Sequence, residues 1–323
     1  MKAPENAFAA VREGCARVAQ HARHVAIETA ALAPYAAALP VEQVQSAGAG
    51  NPYARIARDP ESRCSFVLAL DTINFGSGYF PLLTKLPGCS GYRTVETHLV
   101  RRFETHGALL PGELRRTTAA DCAALFGQAQ PDPAVQELME LFALAWRDLG
   151  ELVEERHASS FTQLVRSAGG SAAALVQELL RMPLYRDVAE YASAPVPFYK
   201  RAQIAAADLA LALPGPLGQF ADLDELTIFA DNLVPHVLKL DGVLRFDPAL
   251  EARIEREELI PWGSPEEVEI RACAVHAVEL LCAESGASGV ALSAHQLDQW
   301  LWRRGGEPHY KARPRHRTRC SFY

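Results

Sequence analysis

The stretch that most constrains this chain runs from Leu226 to Leu244 and reads L-T-I-F-A-D-N-L-V-P-H-V-L-K-L-D-G-V-L. Its first half is apolar apart from Thr227, Asp231 and Asn232, so the fold must carry a carboxylate into apolar surroundings. Such a group is costly to bury unless it is paired, hydrogen-bonded or protonated. Pro235 is tolerated where a helix begins, and Val237, Leu238, Leu240 and Leu244 follow at helical spacing. Asp231 therefore stands on the approach to a buried helix. Two readings are open: Asp231 or Asn232 caps that helix, or Asp231 is a functional acid.

The rest of the chain reads as helical. Alanine is abundant and β-branched runs are short. Phe8 to Leu39 reads as two helices broken by Pro34 and Pro40, with Val11, Cys15 and Val18 on one face and Val25, Thr29 and Leu32 on another. Ser46 to Pro52 is a Gly- and Ser-bearing loop, and Pro60 to Arg63 opens the next helix. In the apolar run Phe66 to Phe80, Asp71 and Asn74 are three residues apart and share a helical face until Gly76 and Gly78 end it. Further helices are expected over Gly91–His106, Thr117–Phe126, Val135–Leu149 (after a Pro131-Asp132-Pro133 turn), His157–Ala168, Ser171–Leu180 and from Lys200 to Leu213.

Ser264 to Cys282 has the fullest helix signature, with Ser264 as cap, Pro265 in the first turn and Glu267 as the capping-box acid. Glu279 falls on its apolar stripe and needs a partner, with Arg271 or a C-terminal arginine the candidates. Leu297 to Trp302 brings two tryptophans that either fill a core or stack on a planar base. Nothing divides the chain, so the expectation is one compact all-α domain over residues 1–323, with helices of residues 1–50 packed on it and a basic segment at 303–323.

The formal charge of −7 argues against a broad basic face for nucleic-acid polymers. It is unevenly spread: residues 303–319 hold seven Lys/Arg against one Glu, a net +6, leaving −13 on the remainder. A basic end on an acidic body suggests a phosphate contact, a solvated tail being the alternative. Lys200 and Arg201, beside Phe198 and Tyr199, either hold an anion or form a helix's solvated first turn; cations near a helix N-terminus are mildly unfavourable against its dipole, which favours the anion. Seven cysteines without C-x-x-C or zinc-like spacing read as reduced thiols of a cytoplasmic protein. No run approaches the ~18 apolar residues of a membrane span, and there is no Walker loop, dinucleotide fingerprint or metal-spaced histidine pair.

Several of these stretches together resemble one family, the queuosine salvage proteins or queuosine 5'-phosphate N-glycosylase/hydrolases. The residues that carry the resemblance are D-T-I-N-F at Asp71–Phe75, S-G-Y at Ser90–Tyr92, Y-R-D-V at Tyr185–Val188, F-Y-K-R-A-Q at Phe198–Gln203, F-A-D at Phe229–Asp231 with Pro235, E-V-E-I-R at Glu267–Arg271 and H-R-T-R-C at His316–Cys320, near Tyr323. The resemblance implies a helical fold similar to helix-hairpin-helix DNA glycosylases. It also implies hydrolysis of the N-glycosidic bond of queuosine 5'-monophosphate, releasing queuine for tRNA, without metal or redox cofactor. On this resemblance Asp231 is the catalytic carboxylate and Lys200 a site residue.

The bottom-up reading adds that Lys200 and part of the basic C-terminus, with Lys311 and Arg317 as candidates, hold the 5'-phosphate. Phe75 and Trp300 are candidates for stacking on the base, and Asp71 and Asn74 for reading its polar edge. The chain departs from the F-A-D-Y-R pattern of many relatives at Asn232, Leu233 and His236, and from N-F-x-F-W at Gly76–Gly78. Asn232 and His236 thereby become candidate pocket residues, His236 taking over part of the role of the missing arginine. Competing readings are a glycosylase acting on a base in DNA or tRNA, and a non-catalytic nucleotide-binding protein.

Overall fold

The computed structural model describes residues 6–48, 53, 56, 59–129 and 132–323. The protein is all-α in class. Its contacts divide it into two units, each assembled from separated stretches: Met1–Ala49, Asp187–Lys200 and Asp224–Arg319 in the first, and Gly50–Arg186, Arg201–Leu223 and Cys320–Tyr323 in the second.

The first unit is built on the helix Pro265–Ala287. Ser264 Oγ accepts from the Glu267 backbone N–H, and Pro265 occupies the first turn, as the sequence signals. Every residue from Glu267 to Val275 is buried, so this helix is a central rod rather than a surface helix with one apolar stripe. The helix Ala7–His21, capped by Asn6, lays Phe8, Val11, Cys15 and Val18 against it. Glu279 finds its partner there: Arg12 Nε lies 3.1 Å from Glu279 Oε2. This corrects the expectation of Arg271 or a C-terminal arginine. Arg271 is engaged elsewhere, and the helix packed alongside supplies the nearer cation.

Glu269, on the same rod, accepts from the backbone N–H groups of Arg23, His24 and Val25 and from the Tyr191 hydroxyl. It thereby fixes the entry to the strand Val25–Ile27, which pairs antiparallel with Leu244–Phe246. A second two-stranded ladder pairs Val188–Tyr191 with Ala194–Pro197. Strands of three or four residues leave no readable alternation in sequence, so Val25, expected on a helix, lies in a strand. Pro34 does not break its helix: Thr29–Ala37 runs through it. The helix ends three residues later, and the missing N–H forfeits only one bond, to the Ala30 carbonyl.

In the second unit, Asp59 caps the helix Pro60–Thr72, in which every residue from Cys64 onward is buried. Asp71 and Asn74 do not share a helical face, because this helix ends at Thr72 and Ile73 is its C-cap. Gly76, at φ 98°, then turns the chain in a conformation a side chain would resist. The long helix Pro133–Arg156, capped by Asp132, packs on it, and Trp146 Nε1 donates to the Ala69 carbonyl at 2.8 Å. The same helix meets Pro111–Arg116 at Gly150, where a Cβ would stand 2.5 Å from both Arg115 N and Pro111 O. Gly91–His106 forms as expected, and Ala119–Leu125, Phe161–Ser167 and Ala172–Leu179 form within their expected ranges. Of the loop expected at 46–52, residues 49–52 lie outside the described residues, as does Pro131 of the expected turn.

Candidate active site

Residues 229–232 cross the first unit as an irregular segment, and each is held by a different group. The Phe229 N–H donates to Asp298 Oδ1 at 2.9 Å. The Ala230 carbonyl accepts from Arg271 Nε at 2.9 Å. Asp231 Oδ1 accepts from the N–H groups of Leu233 (2.7 Å) and Val234 (3.2 Å), at the start of the helix Val234–Leu240. Asn232 Nδ2 donates to the His316 carbonyl at 3.2 Å. Asp231 thus braces the turn that leads into the following helix through one oxygen; the cap position itself is Leu233, which has no side-chain cap. That bond aims the carboxylate without using all of it: Oδ2 has no hydrogen-bond partner among the described residues.

Arg271 ties this segment to two other stretches. It is fully buried, lies against both oxygens of Asp187 (Nη1–Oδ1 3.1 Å, Nη2–Oδ2 2.5 Å), reaches Glu267 Oε1 at 3.5 Å and covers the Phe198 ring at 3.9 Å. A buried arginine set among two carboxylates and a carbonyl has acceptors on several of its N–H donors, and the two acids together exceed its single charge. Asp187 in turn uses its backbone carbonyl to accept from the N–H groups of Phe198 (2.9 Å) and Tyr199 (3.4 Å). Tyr199 has φ 50°, a costly backbone for a bulky residue, and these bonds hold it there. Lys200 follows as the first residue of its helix and is buried.

A second carboxylate belongs to the cluster. Asp298, on the helix Ala294–Arg304, is buried. Burial first, and then the charge of Asp231, push it well above the usual carboxylate range, against the opposing pull of the Phe229 N–H and of Lys200. The same Asp298 thus holds the Phe229 backbone through Oδ1 while standing close enough to Asp231 to feel its charge. Arg315 also faces Asp231: burial lowers its pKa, the Asp231 charge opposes that, and Arg317 adds to it. His236 is buried, which lowers its pKa, and its Nε2–H donates to the Tyr310 carbonyl at 2.9 Å.

Asp231, Asn232, Lys200 and His236 therefore all lie in the first unit, the first three within this network. Trp300, also there, is stacked by the Arg304 guanidinium at 4.7 Å, and both line a cavity of about 250 Å³ with Tyr35, Ala38, Leu39 and Pro40. Lys311 is exposed, and Arg317 pairs with Glu257 at 2.6 Å. Asp71, Asn74 and Phe75 lie in the second unit. There Phe75 packs on Phe142 and under the guanidinium of Arg201, 4.6 Å from the ring centroid. Arg201 also stacks on Tyr185 and donates to the carbonyls of Thr72, Leu184 and Ser321, so this cation is committed to the scaffold.

Sequence reading missed Asp298 and Arg315. The first had a signal: it sits on the apolar stripe of Ala294, Leu297 and Leu301, where an acid needs a reason. Arg315 had none, being one of several arginines at alternate positions.

Fold and site together define a mostly helical protein whose first unit gathers two nearby acids, Asp231 and Asp298, with the buried cations Lys200 and Arg271. The family model described as queuosine salvage protein matches residues 54–323. The chain is 38% identical over 313 residues to the queuosine 5'-phosphate N-glycosylase/hydrolase of Sphaerobacter thermophilus, covering 95% of each. It is 32% identical over 265 residues to the protein of the same name from Dictyostelium discoideum (81% of this chain, 79% of the relative). To the Mus musculus protein it is 34% identical over 206 residues, 60% of each. The chain belongs to the queuosine salvage protein family.

Proposed function

We propose that this protein hydrolyses the N-glycosidic bond of queuosine 5'-monophosphate, releasing queuine for reuse in tRNA and leaving ribose 5-phosphate. The observation that carries this reading is the Asp231 carboxylate, with one oxygen locked by backbone N–H groups and the other open. As the bond from the sugar carbon to the base nitrogen breaks, positive charge builds on the ribose in an oxocarbenium-like transition state. The open oxygen of Asp231 stabilises that charge and orients, or takes a proton from, the attacking water. Because the carboxylate is aimed by the backbone beforehand, it needs little reorganisation when the charge appears. Asp298 is the candidate acid for the departing base, which must gain a proton. Lys200 and a residue of the basic C-terminal segment receive the 5'-phosphate.

The same reading takes residues 1–323 as one catalytic domain, since neither unit is a continuous stretch of chain. It places the protein in the cytoplasm, in keeping with seven free cysteines. No described helix is long and apolar enough to cross a membrane.

The test is incubation of the purified protein with queuosine 5'-monophosphate, following free queuine by mass spectrometry, beside Asp231→Asn. Release by the wild type and its loss in the variant are expected. Substantial turnover by a folded Asp231→Asn would remove Asp231 from its role, and no release by the wild type would remove the substrate.

A further inference from the structure

One buried guanidinium fastens two separate stretches of the site. Arg271 Nε donates at 2.9 Å to the carbonyl of Ala230, the residue before Asp231. On its other side Nη1 and Nη2 meet Asp187 Oδ1 and Oδ2 at 3.1 and 2.5 Å, and its plane covers the Phe198 ring at 3.9 Å. Asp187 and Phe198 lie one residue beyond the rung Val188–Pro197 of the second ladder. There the Asp187 carbonyl accepts from the N–H groups of Phe198 and Tyr199, and Lys200 is the next residue. Asp231 is thus joined to the Lys200 stretch through Ala230, Arg271 and Asp187, all in the first unit.

This connection is stiff. The side chains of Arg271 and Asp187 are 0% and 3% exposed, so water does not loosen the pair. A guanidinium fork on a carboxylate fixes both distance and plane, which a single bond does not. Tyr199 holds φ 50°, a backbone that persists only where its surroundings overdetermine it. Charge balance, moreover, does not require Asp187. Glu267 Oε1, also buried, stands 3.5 Å from Arg271 Nη1 and already matches its single charge. As a counter-ion the second acid is surplus; what it adds is geometry.

We propose that Asp187 and Arg271 form a positioning pair for the reaction, fixing the Asp231 carboxylate relative to Lys200 before substrate arrives. This rests on the function proposed above, in which Asp231 is the reacting carboxylate. In this role neither residue touches substrate. Arg271 acts through the Ala230 carbonyl and Asp187 through its own carbonyl, and the benefit is a carboxylate that needs no rearrangement as charge develops.

The experiment centres on Asp187→Asn, which keeps the side-chain shape and leaves Arg271 balanced by Glu267. One of the two paired positions then sets donor against donor, so the fork opens. On queuosine 5'-monophosphate, kcat should fall roughly 10- to 100-fold while KM changes less than about threefold. The urea midpoint should stay near that of the wild type. Arg271→Met and the double variant Asp187→Asn/Arg271→Met separate position from stability. The double variant should regain part of the urea midpoint that Arg271→Met loses, with kcat staying as low. A kcat that returns with stability, a loss carried by KM instead, or wild-type turnover in Asp187→Asn would overturn the proposal and leave a structural ion pair.

Hydrogen–deuterium exchange gives a readout that needs no turnover. In Asp187→Asn the amides of Phe198 and Tyr199 should lose protection together with those of Leu233 and Val234, which bond to Asp231, while the helix Pro265–Ala287 keeps its own. Unchanged exchange at either end would also overturn the proposal. If the wild type releases no queuine, the reaction proposed above fails, and exchange alone then decides whether the pair couples the two stretches.

Discussion

Arg271→Met is the substitution with the largest expected cost to the fold. Methionine roughly fills the volume but leaves the carboxylates of Asp187 and Glu267, with side chains 3% and 0% exposed, without their cation. Removing one partner from a buried ion pair costs about 3–5 kcal/mol. The Ala230 carbonyl also loses its donor, which adds about 1 kcal/mol. The sum, about 4–6 kcal/mol, is a large part of a typical domain stability of about 5–15 kcal/mol. Arg271→Lys keeps the charge but cannot span all of these acceptors, so it should fall between wild type and Met. Equilibrium urea unfolding, followed by circular dichroism and tryptophan fluorescence, measures the loss. Adding Asp187→Asn to Arg271→Met should recover part of it, because one uncompensated charge is then gone. A loss below about 1 kcal/mol in Arg271→Met would refute the account of Arg271 as the charge that balances this core.

Three further outcomes are expected. Burial, followed by the charges of Arg271, Arg315 and His236, lowers the His316 pKa to about 3, so the folded protein binds this proton far more weakly than the unfolded chain. The stability this leaves intact above about pH 6.5 is lost as pH falls below it, by about 1.4 kcal/mol at pH 5.5, and a His316→Asn variant should show a correspondingly shallower pH dependence in urea unfolding. Gly150→Ala forces a Cβ to within 2.5 Å of two backbone atoms, Arg115 N and Pro111 O; a loss of about 1–3 kcal/mol is expected in the same assay, and a neutral result would show that these helices part easily. Asp231→Asn keeps the Oδ1 acceptor and should retain wild-type stability within about 0.5 kcal/mol, whereas Asp231→Ala should lose about 1 kcal/mol; equal stabilities would mean that the two backbone bonds to Oδ1 contribute nothing.

What was legible in the sequence follows from how local the signal is. Ser264, Pro265 and Glu267 announced their helix because a cap is a contact within a few residues. Asp231 stood out because an acid in an apolar run is an anomaly wherever it occurs, and the backbone bonds it accepts are local too. The short strands at Val25–Ile27 and Leu244–Phe246 are more than 200 residues apart in sequence, and neither is long enough to show a period. Arg271 meets Asp187 84 residues away, and nothing in either stretch names the other. Glu279 was rightly marked as needing a cation, but the choice among arginines was tertiary and fell to Arg12. Arg315 differs from Arg313 and Arg317 only in which backbone groups hold its neighbours.

The packing of Ala7–His21 on Pro265–Ala287 has a consequence for how the protein is made. The first helix leaves the ribosome with the apolar face of Phe8, Val11, Cys15 and Val18 formed but uncovered, and about 240 residues must follow before its partner begins. At roughly 5–20 residues per second, that face waits some tens of seconds. The protein is therefore a poor candidate for folding as it emerges. Nascent chains stalled anywhere before the central rod should bind holdase chaperones through Ala7–His21, and a release of that binding should mark the arrival of residue 287.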